Sequence, residues 1–144
     1  MSLKRKSGFS LYEVLIVLAV IAILGTFAVP MVNNVISKAK MTKIVNDMKV
    51  LETSIIQYYY NENAIPADIN SLITNNYLEN SVDNINFSTN SNVVYVYYDS
   101  SVEKADDLEK LDTTLKWSSS KTDFSTLADV PDETNIYPVL KVIF

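Results

Sequence analysis

The chain begins with a long apolar stretch that later gives way to an amphipathic pattern. Val14 to Leu24 is an unbroken apolar run, and after Gly25 the apolar pattern continues around Pro30 to Val32. From Val14 to Val32 the chain is long enough to cross a bilayer as a helix, which takes about 20 residues. The pattern therefore predicts a membrane-spanning helix at the start of the chain.

Beyond this stretch the apolar residues recur every three or four positions, which indicates a helix with one apolar face. They are Met41, Ile44, Met48, Leu51, Ile55 and Tyr58. The stripe is too short to favour a coiled coil, so we expect it to pack against a sheet of the same chain. The helix is predicted to continue to about residue 61, and Pro66 marks its end.

The residues from 62 to 144 predict a small head domain. A turn at Pro66 leads into a short helix ending near Ile73, with Asp68 or Asn70 as its N-cap. Glu103 to Leu115 has apolar positions at helical spacing among many charges, which favours a helix over a long loop.

Three segments of the head have strand character, since they are rich in β-branched and aromatic residues. They are Asn84–Ser88, Val93–Tyr98 and Tyr137–Phe144. Pro138 places the last strand near an edge or at its own start. Trp117 and Phe124 are predicted to cover the sheet edge. The fold class is therefore α+β, a long N-terminal α-helix packed on a small antiparallel sheet.

Composition excludes several kinds of site. The chain has no cysteine and no histidine, which excludes disulfides, zinc sites built on Cys or His, and acid–base catalysis by histidine. There are 12 basic and 17 acidic residues, for a net charge of −5. An acidic chain without a basic cluster in its head argues against nucleic acid as the main partner. No nucleophile–base pair or phosphate loop is present, so we predict that the chain is not an enzyme.

The charges around the apolar stretch are the most informative ones. Lys4, Arg5 and Lys6 precede it, which predicts that this end stays in the cytoplasm. Glu13 stands at its head, and the next charge is Lys38. An acidic residue costs about 2.5–3.5 kcal/mol at the centre of a membrane helix and less near its end. The negative charge of Glu13 therefore needs a positively charged partner.

Three interpretations of this segment remain. A secretory signal peptide is disfavoured, because the apolar run is long and no small-residue cleavage site follows it. An ordinary membrane anchor explains the hydropathy and the basic cluster but not Glu13. A processed subunit that polymerises explains the hydropathy, the basic cluster and Glu13, because Glu13 then neutralises a positive charge on a neighbouring copy of the chain.

Gly8-Phe9-Ser10-Leu11-Tyr12-Glu13 resembles the class III signal of type IV pilins and pseudopilins. The resemblance implies a leader of residues 1–8 that a prepilin peptidase removes after Gly8, with methylation of the new amino terminus on Phe9. The Phe9 amine and Glu13 then pair and set the register of subunits in the filament. Without the three basic leader residues, the remaining 9 basic and 17 acidic residues give a net charge of −8.

The same resemblance predicts four segments: leader 1–8, membrane and filament-core helix 9–32, amphipathic helix 33–61 and head 62–144. It implies a type IV pilus subunit that sits in the cytoplasmic membrane before assembly and on the cell surface afterwards. Its implied partners are copies of itself, the peptidase and methyltransferase, an inner-membrane assembly platform and minor pilins. The alternatives are a pseudopilin of a type II secretion or DNA-uptake apparatus and, less favoured, an anchored binding domain that never polymerises.

Two further predictions concern single sites. Gly25 and Pro30 are weak helix residues, and many family members carry a kinking proline near the latter position, so the helix is expected to bend between them. Asp129, Asp132 and Glu133 supply calcium-type ligands, although their spacing matches no defined calcium loop. We therefore expect no cofactor, with calcium at these three residues as the alternative.

Overall fold

A computed structural model describes residues 9–102 and 105–144 of the chain. Its elements are α1 (Leu11–Glu62), α2 (Ile69–Thr74), β1 (Ile85–Asn90), β2 (Val93–Tyr98), α3 (Ala105–Leu111), β3 (Lys116–Ser118) and β4 (Tyr137–Ile143). The chain divides into two compact units, residues 1–38 and residues 39–144. This architecture confirms the predicted α+β fold.

Helix α1 ends where the local sequence stops supporting it. Asn63 follows the last helical residue with a φ of 52°, the left-handed conformation that asparagine tolerates and in which many helices end. Its N–H donates to the carbonyl of Tyr59 at 2.9 Å, which satisfies one of the terminal carbonyls. The helix therefore ends within one residue of the predicted position.

The predicted apolar stripe of α1 forms one side of the core of the second unit. Met48, Leu51 and Ile55 are fully buried, and Ile44 and Tyr58 pack at the margin of the core. Burying an aliphatic side chain contributes roughly 1.5–3 kcal/mol. The stripe therefore determines which face of this part of α1 meets the sheet.

The sheet has four antiparallel strands in the order β1-β2-β4-β3. Val94 pairs with Val142, and Val96 pairs with Leu140, and all four are buried in the core. Because side chains alternate along a strand, Tyr95 and its neighbours in the same register lie on the opposite face. The strand predictions at β2 and β4 are confirmed, and β1 lies one residue further along the chain than expected at its start.

The segment after α1 forms the predicted short helix α2. Asp68 is its N-cap, because one carboxylate oxygen accepts from the N–H of Ser71 at 2.8 Å and from the Ser71 hydroxyl at 2.7 Å. Leu72 projects from α2 into the core, and Pro66 before it is buried as well. The first of the two predicted caps, Asp68 rather than Asn70, is the one that is used.

The prediction that Trp117 and Phe124 cover the sheet edge is wrong in detail. Trp117 lies within strand β3 and is fully buried in the core, opposite Pro138 of β4. Its backbone N–H and carbonyl bond to Ala128 on the other side, so Pro138 needs no N–H at this point. Phe124 lies on the outer face of the sheet, where its ring is 5.1 Å from the rings of both Tyr95 and Tyr97. Because β4 lies between β2 and β3, it is an inner strand of the sheet.

The predicted helix between Glu103 and Leu115 is shorter than expected. Helix α3 ends at Leu111, and Glu103 lies outside the described residues. Asp112 then turns the chain by accepting from the N–H of Thr114 at 2.9 Å. Its carboxylate also pairs with Lys49 of α1 at 2.8 Å and is buried. Asp112 is therefore buried, whereas Asp106 of α3 is exposed.

Candidate functional site

The first turn of α1 is closed by a reciprocal pair of hydrogen bonds. The Ser10 N–H donates to the Glu13 carboxylate at 2.8 Å, and the Glu13 N–H donates to the Ser10 hydroxyl oxygen at 3.2 Å. This arrangement is a capping box, in which serine at the N-cap and glutamate three residues later satisfy each other's backbone donors. The Ser-x-x-Glu spacing before an apolar run is the sequence signal of a capping box, a role of Glu13 that was not among the predictions.

Phe9 precedes the capping box and is almost completely exposed, with 87% of its surface accessible. Its neighbour Gly8 lies outside the described residues, and so do Lys4, Arg5 and Lys6 of the basic cluster. The peptide bond between Gly8 and Phe9 is therefore not described, and its cleavage remains a prediction.

The apolar half of α1 has no partner within the described residues of this chain. Its large hydrophobic side chains between Val14 and Ile36 are all exposed, from 46% at Val14 to 73% at Phe27. By length and composition the helix could cross a membrane, and none of its most apolar window is buried, unlike the core helix of a soluble protein. A contiguous apolar surface of this kind marks a membrane or protein contact.

The two residues predicted to bend the helix both lie within the bounds of α1. Gly25 has open space where a side chain would project, so no close packing requires a glycine there. One residue further on, the Thr26 hydroxyl donates to the carbonyl of Ile23 at 2.7 Å. A bend between Gly25 and Pro30 remains a prediction.

The three residues weighed for calcium each have a different environment. Asp129 forms an ion pair with Lys116, whereas one carboxylate oxygen of Asp132 accepts from the N–H groups of Thr134 and Asn135 at 2.7 Å. The Thr134 hydroxyl, which also donates to this carboxylate, together with the backbone and side-chain N–H groups of Asn135 and the Thr134 N–H, holds the pKa of Asp132 far below its ordinary value. Across residues 9–102 and 105–144, no three acidic residues gather into a metal-binding group. The geometry of Asp129, Asp132 and Glu133 therefore adds nothing in favour of calcium.

Comparison with known proteins agrees with the geometry of the first helix. Residues 3–29 match the family described as "Prokaryotic N-terminal methylation motif". The type II secretion system core protein G of Aeromonas hydrophila is 35% identical over 67 residues, which is 46% of this chain and 47% of that relative. The alignment thus covers about half the length of the relative. No solved structure matches the chain.

The motif, the relative and the structure support one another. The motif covers the segment in which Phe9 and Glu13 lie, and this segment leads into an exposed apolar helix followed by a small α+β head. Through this motif and this relative, the chain is similar to the type IV pilins and pseudopilins.

Proposed function

We propose that this chain is a structural, non-catalytic subunit that polymerises into a type IV pilus after removal of residues 1–8 and methylation of Phe9. The observation that carries the proposal is a long exposed apolar helix surface with a single carboxylate, Glu13, at its head. Such a surface is stable in a membrane or among copies of the same helix, but not in water. Before assembly the chain spans the cytoplasmic membrane with its amino terminus inside.

A second charge is needed to neutralise Glu13 in an apolar environment. Cleavage after Gly8 creates an α-amine on Phe9, which is positively charged at neutral pH because its ordinary pKa is about 8. An isolated buried charge is costly, whereas a matched pair is much less so. The peptidase thus supplies the cation that the carboxylate requires.

The capping box supports a short distance between the Phe9 amine and the Glu13 carboxylate. The Glu13 carboxylate lies 2.8 Å from the Ser10 nitrogen, and adjacent backbone nitrogens are about 3–3.6 Å apart. An amine on Phe9 therefore starts within about 6–7 Å of the carboxylate of its own chain. We propose that this internal pair holds in the membrane and is exchanged, during assembly, for a pair between the incoming amine and Glu13 of an assembled copy.

The implied partners follow from this cycle. They are the prepilin peptidase and methyltransferase, an assembly platform in the inner membrane, minor pilins, and further copies of the chain. Calcium is not part of the proposal.

A pseudopilin of a secretion apparatus is the second candidate, and the similarity to a type II secretion system core protein favours it. Deletion of the gene distinguishes the two functions. Loss of surface filaments with normal protein export supports the pilus, and accumulation of exported proteins inside the cell supports the pseudopilus.

The assembly mechanism is tested with three variants in cells that lack the wild-type subunit. Glu13→Gln keeps the capping box, which accepts glutamine, but removes the charge. Glu13→Ala removes both, and Ser10→Ala removes the cap and keeps the charge. We expect both Glu13 variants to yield at least about tenfold fewer sheared filaments, since one lost charge–charge contact in low dielectric exceeds 1.4 kcal/mol. Ser10→Ala is expected to assemble.

The intact mass of each variant, extracted from membranes, controls for processing. All three should have lost residues 1–8. Normal filament yield from Glu13→Gln would contradict the charge-pair mechanism, and equal loss in Ser10→Ala would assign Glu13 to helix capping instead. Wild-type filaments that retain residues 1–8 would contradict the processing step.

A further inference from the structure

The two edges of the sheet differ in how they are protected against pairing with another chain. At one edge, β3 is three residues long, and the N–H and the carbonyl of Trp117 both bond to Ala128 on its far side. Beyond the end of β3, strand β4 carries the exposed Lys141. Short edge strands, covering segments and lysines are usual means by which proteins prevent edge-to-edge pairing. This side of the sheet is therefore protected.

The other edge is strand β1, which has none of these features. It is six residues long and, among the described residues, pairs only with β2. No charged residue and no proline lies between Asp83 and Asp99, a stretch that contains β1, the turn and β2. The register with β2 is unbroken along the whole strand, so no bulge turns this edge away. An edge of this kind is a template for pairing with a further strand.

The backbone of β1 directs two of its residues away from the sheet. The N–H of Asp99 donates to the carbonyl of Asn84 at 2.6 Å. Because backbone groups alternate in direction along an antiparallel strand, every second residue from Asn84 onward bonds to β2. Phe87 and Thr89 therefore point their N–H and carbonyl groups outward, where no backbone partner is recorded in the described part of the chain. Each of the two offers one donor and one acceptor to another strand.

A second copy of the chain is the partner that suits this edge. Two β1 strands can pair antiparallel about a twofold axis, so that Phe87 of each copy bonds to Thr89 of the other through up to about four backbone hydrogen bonds. The chain without its leader has a net charge of −8, which makes copies repel one another, whereas the strand and its turn add no charge to the contact. The axis passes beside Ser88, which then faces Ser88 of the other copy.

We propose that β1 pairs antiparallel with β1 of a second copy, so that two four-stranded sheets join into one continuous sheet. Such a twofold contact is isologous and closes on itself, whereas a filament is built from heterologous contacts that repeat. In the proposed filament the contact therefore joins two neighbouring filaments side by side. This consequence, unlike the pairing itself, rests on the proposed function.

The strength of the pairing depends on the number of copies that act together. One pair of heads binds weakly, because a few hydrogen bonds must offset the freedom that two chains lose on association. Many heads along two filaments act together, which strengthens the association without any new contact. We therefore expect single subunits to pair transiently and filaments to associate laterally.

Disulfide trapping tests the pairing on the full chain in detergent, because the chain has no cysteine of its own. In the proposed register the two Ser88 residues form a non-hydrogen-bonded pair with Cα atoms about 4.5 Å apart, which suits a disulfide. Ser88→Cys should therefore give covalent dimers under mild oxidation.

Asn86→Cys is the matched control, because Asn86 is half-buried like Ser88 and lies on the same face of β1. In the proposed register the Cα atoms of the two Asn86 residues are about 14 Å apart. Because Cα atoms more than about 7 Å apart cannot be bridged, Ser88→Cys should give at least about tenfold more covalent dimer than Asn86→Cys.

Charge substitutions at Ser88 test the lateral association of sheared filaments. Ser88→Lys or Ser88→Glu places two like charges opposite each other, and each should lower the fraction that sediments as bundles at low speed at least about fivefold. An equal mixture of the two kinds of filament should restore bundling, because lysine then faces glutamate. Ser119→Lys, on an exposed residue that follows β3 at the other edge, should bundle as the wild type does.

The remaining outcomes overturn the inference or its consequence. Covalent dimers from neither cysteine variant, or equally from both, contradict the pairing whether or not filaments form. Wild-type filaments that stay single, or bundling that the mixture does not restore, contradict the lateral role. Normal filaments without Ser88→Cys dimers contradict this inference alone, whereas Ser88→Cys dimers from a chain that forms no filaments contradict the proposed function alone.

Discussion

Glu13 has one observed role and one proposed role, and the two use different properties of its side chain. As the third residue of α1 it accepts a backbone hydrogen bond from Ser10, a role that needs an oxygen but no charge. In the proposed assembly mechanism it pairs with a cation, as the only acidic residue of the apolar segment, and that role needs the charge. Substitutions that separate the oxygen from the charge are therefore more informative than a change to alanine.

Among the described residues with a positive φ, Ser91 is the one that is not an asparagine. It begins the two-residue turn between Asn90 of β1 and Val93 of β2 and has a φ of 53°. A non-glycine residue in the left-handed region costs roughly 1–2 kcal/mol, and asparagine tolerates it better than serine does. Ser91→Gly is expected to raise the free energy of unfolding by about 1 kcal/mol, measured by urea denaturation of the full chain in detergent.

Ser119→Gly is the control for this change, because Ser119 is exposed and has no positive φ. There the added freedom of the unfolded chain should lower stability by a few tenths of a kcal/mol or more. A loss of stability in Ser91→Gly as well would show that the turn is not strained.

At the scale of elements, the two halves of α1 differ in where their apolar surface goes. In residues 39–62 the apolar stripe meets the strands and is buried, while the opposite side of this helix segment is exposed. In residues 11–36 the apolar side chains are exposed. The first pattern stabilises the fold of the head, and the second leaves a contiguous apolar surface of the kind that contacts a membrane or other protein chains.

Two adjacent residues of α1 allow this division to be measured. Leu51 is fully buried and Val50 is 50% exposed. Leu51→Ala should lower the free energy of unfolding of the head by about 2–5 kcal/mol, because it removes buried area and leaves a cavity. Val50→Ala should change it by less than about 0.5 kcal/mol. Urea denaturation followed through Trp117 fluorescence reports on the core, and similar losses for the two variants would contradict the orientation of α1.

At the scale of the whole second unit, one ion pair joins segments that are far apart in the sequence. Lys49 of α1 contacts Asp112, which follows α3, and Asp112 is buried while Lys49 is partly exposed. Burial alone raises the pKa of Asp112, but hydrogen bonds from Lys49 and Thr114 outweigh burial and hold the pKa below its ordinary value. The pair therefore stabilises the folded state whenever both groups are charged.

Asp112→Asn should lower the free energy of unfolding at pH 7 by about 1–3 kcal/mol, less than for a fully buried pair because Lys49 is still hydrated. Since the folded pKa of Asp112 is depressed, the contribution is complete above the unfolded pKa, about 3.9, and is lost as the pH falls through the folded value. The pKa of Lys49 is raised, so its contribution is complete below its unfolded value. The difference in the free energy of unfolding between wild type and Asp112→Asn should be constant from about pH 5 to 9 and shrink below about pH 4.

Asp107→Asn is the matched control, because Asp107 pairs with Lys110 at 3.4 Å on the exposed side of α3. Exposed pairs contribute at most about 1 kcal/mol, so this variant should remain close to wild type. A gap between wild type and Asp112→Asn that persists at pH 2 would assign the loss to packing rather than to charge.

The sequence by itself determined the features that depend on local order. Helix α1, its end, the cap at Asp68, strands β2 and β4 and the segment with Phe9 and Glu13 follow from periodicity, propensity or a contiguous motif. Tertiary structure decided which partner each side chain meets: Trp117 lies in the core on β3, which pairs with β4, and the buried Asp112 pairs with Lys49 of α1. Such contacts join residues that are far apart in the sequence. No local sequence pattern predicts them, because their energies depend on packing and on charges that only folding brings together.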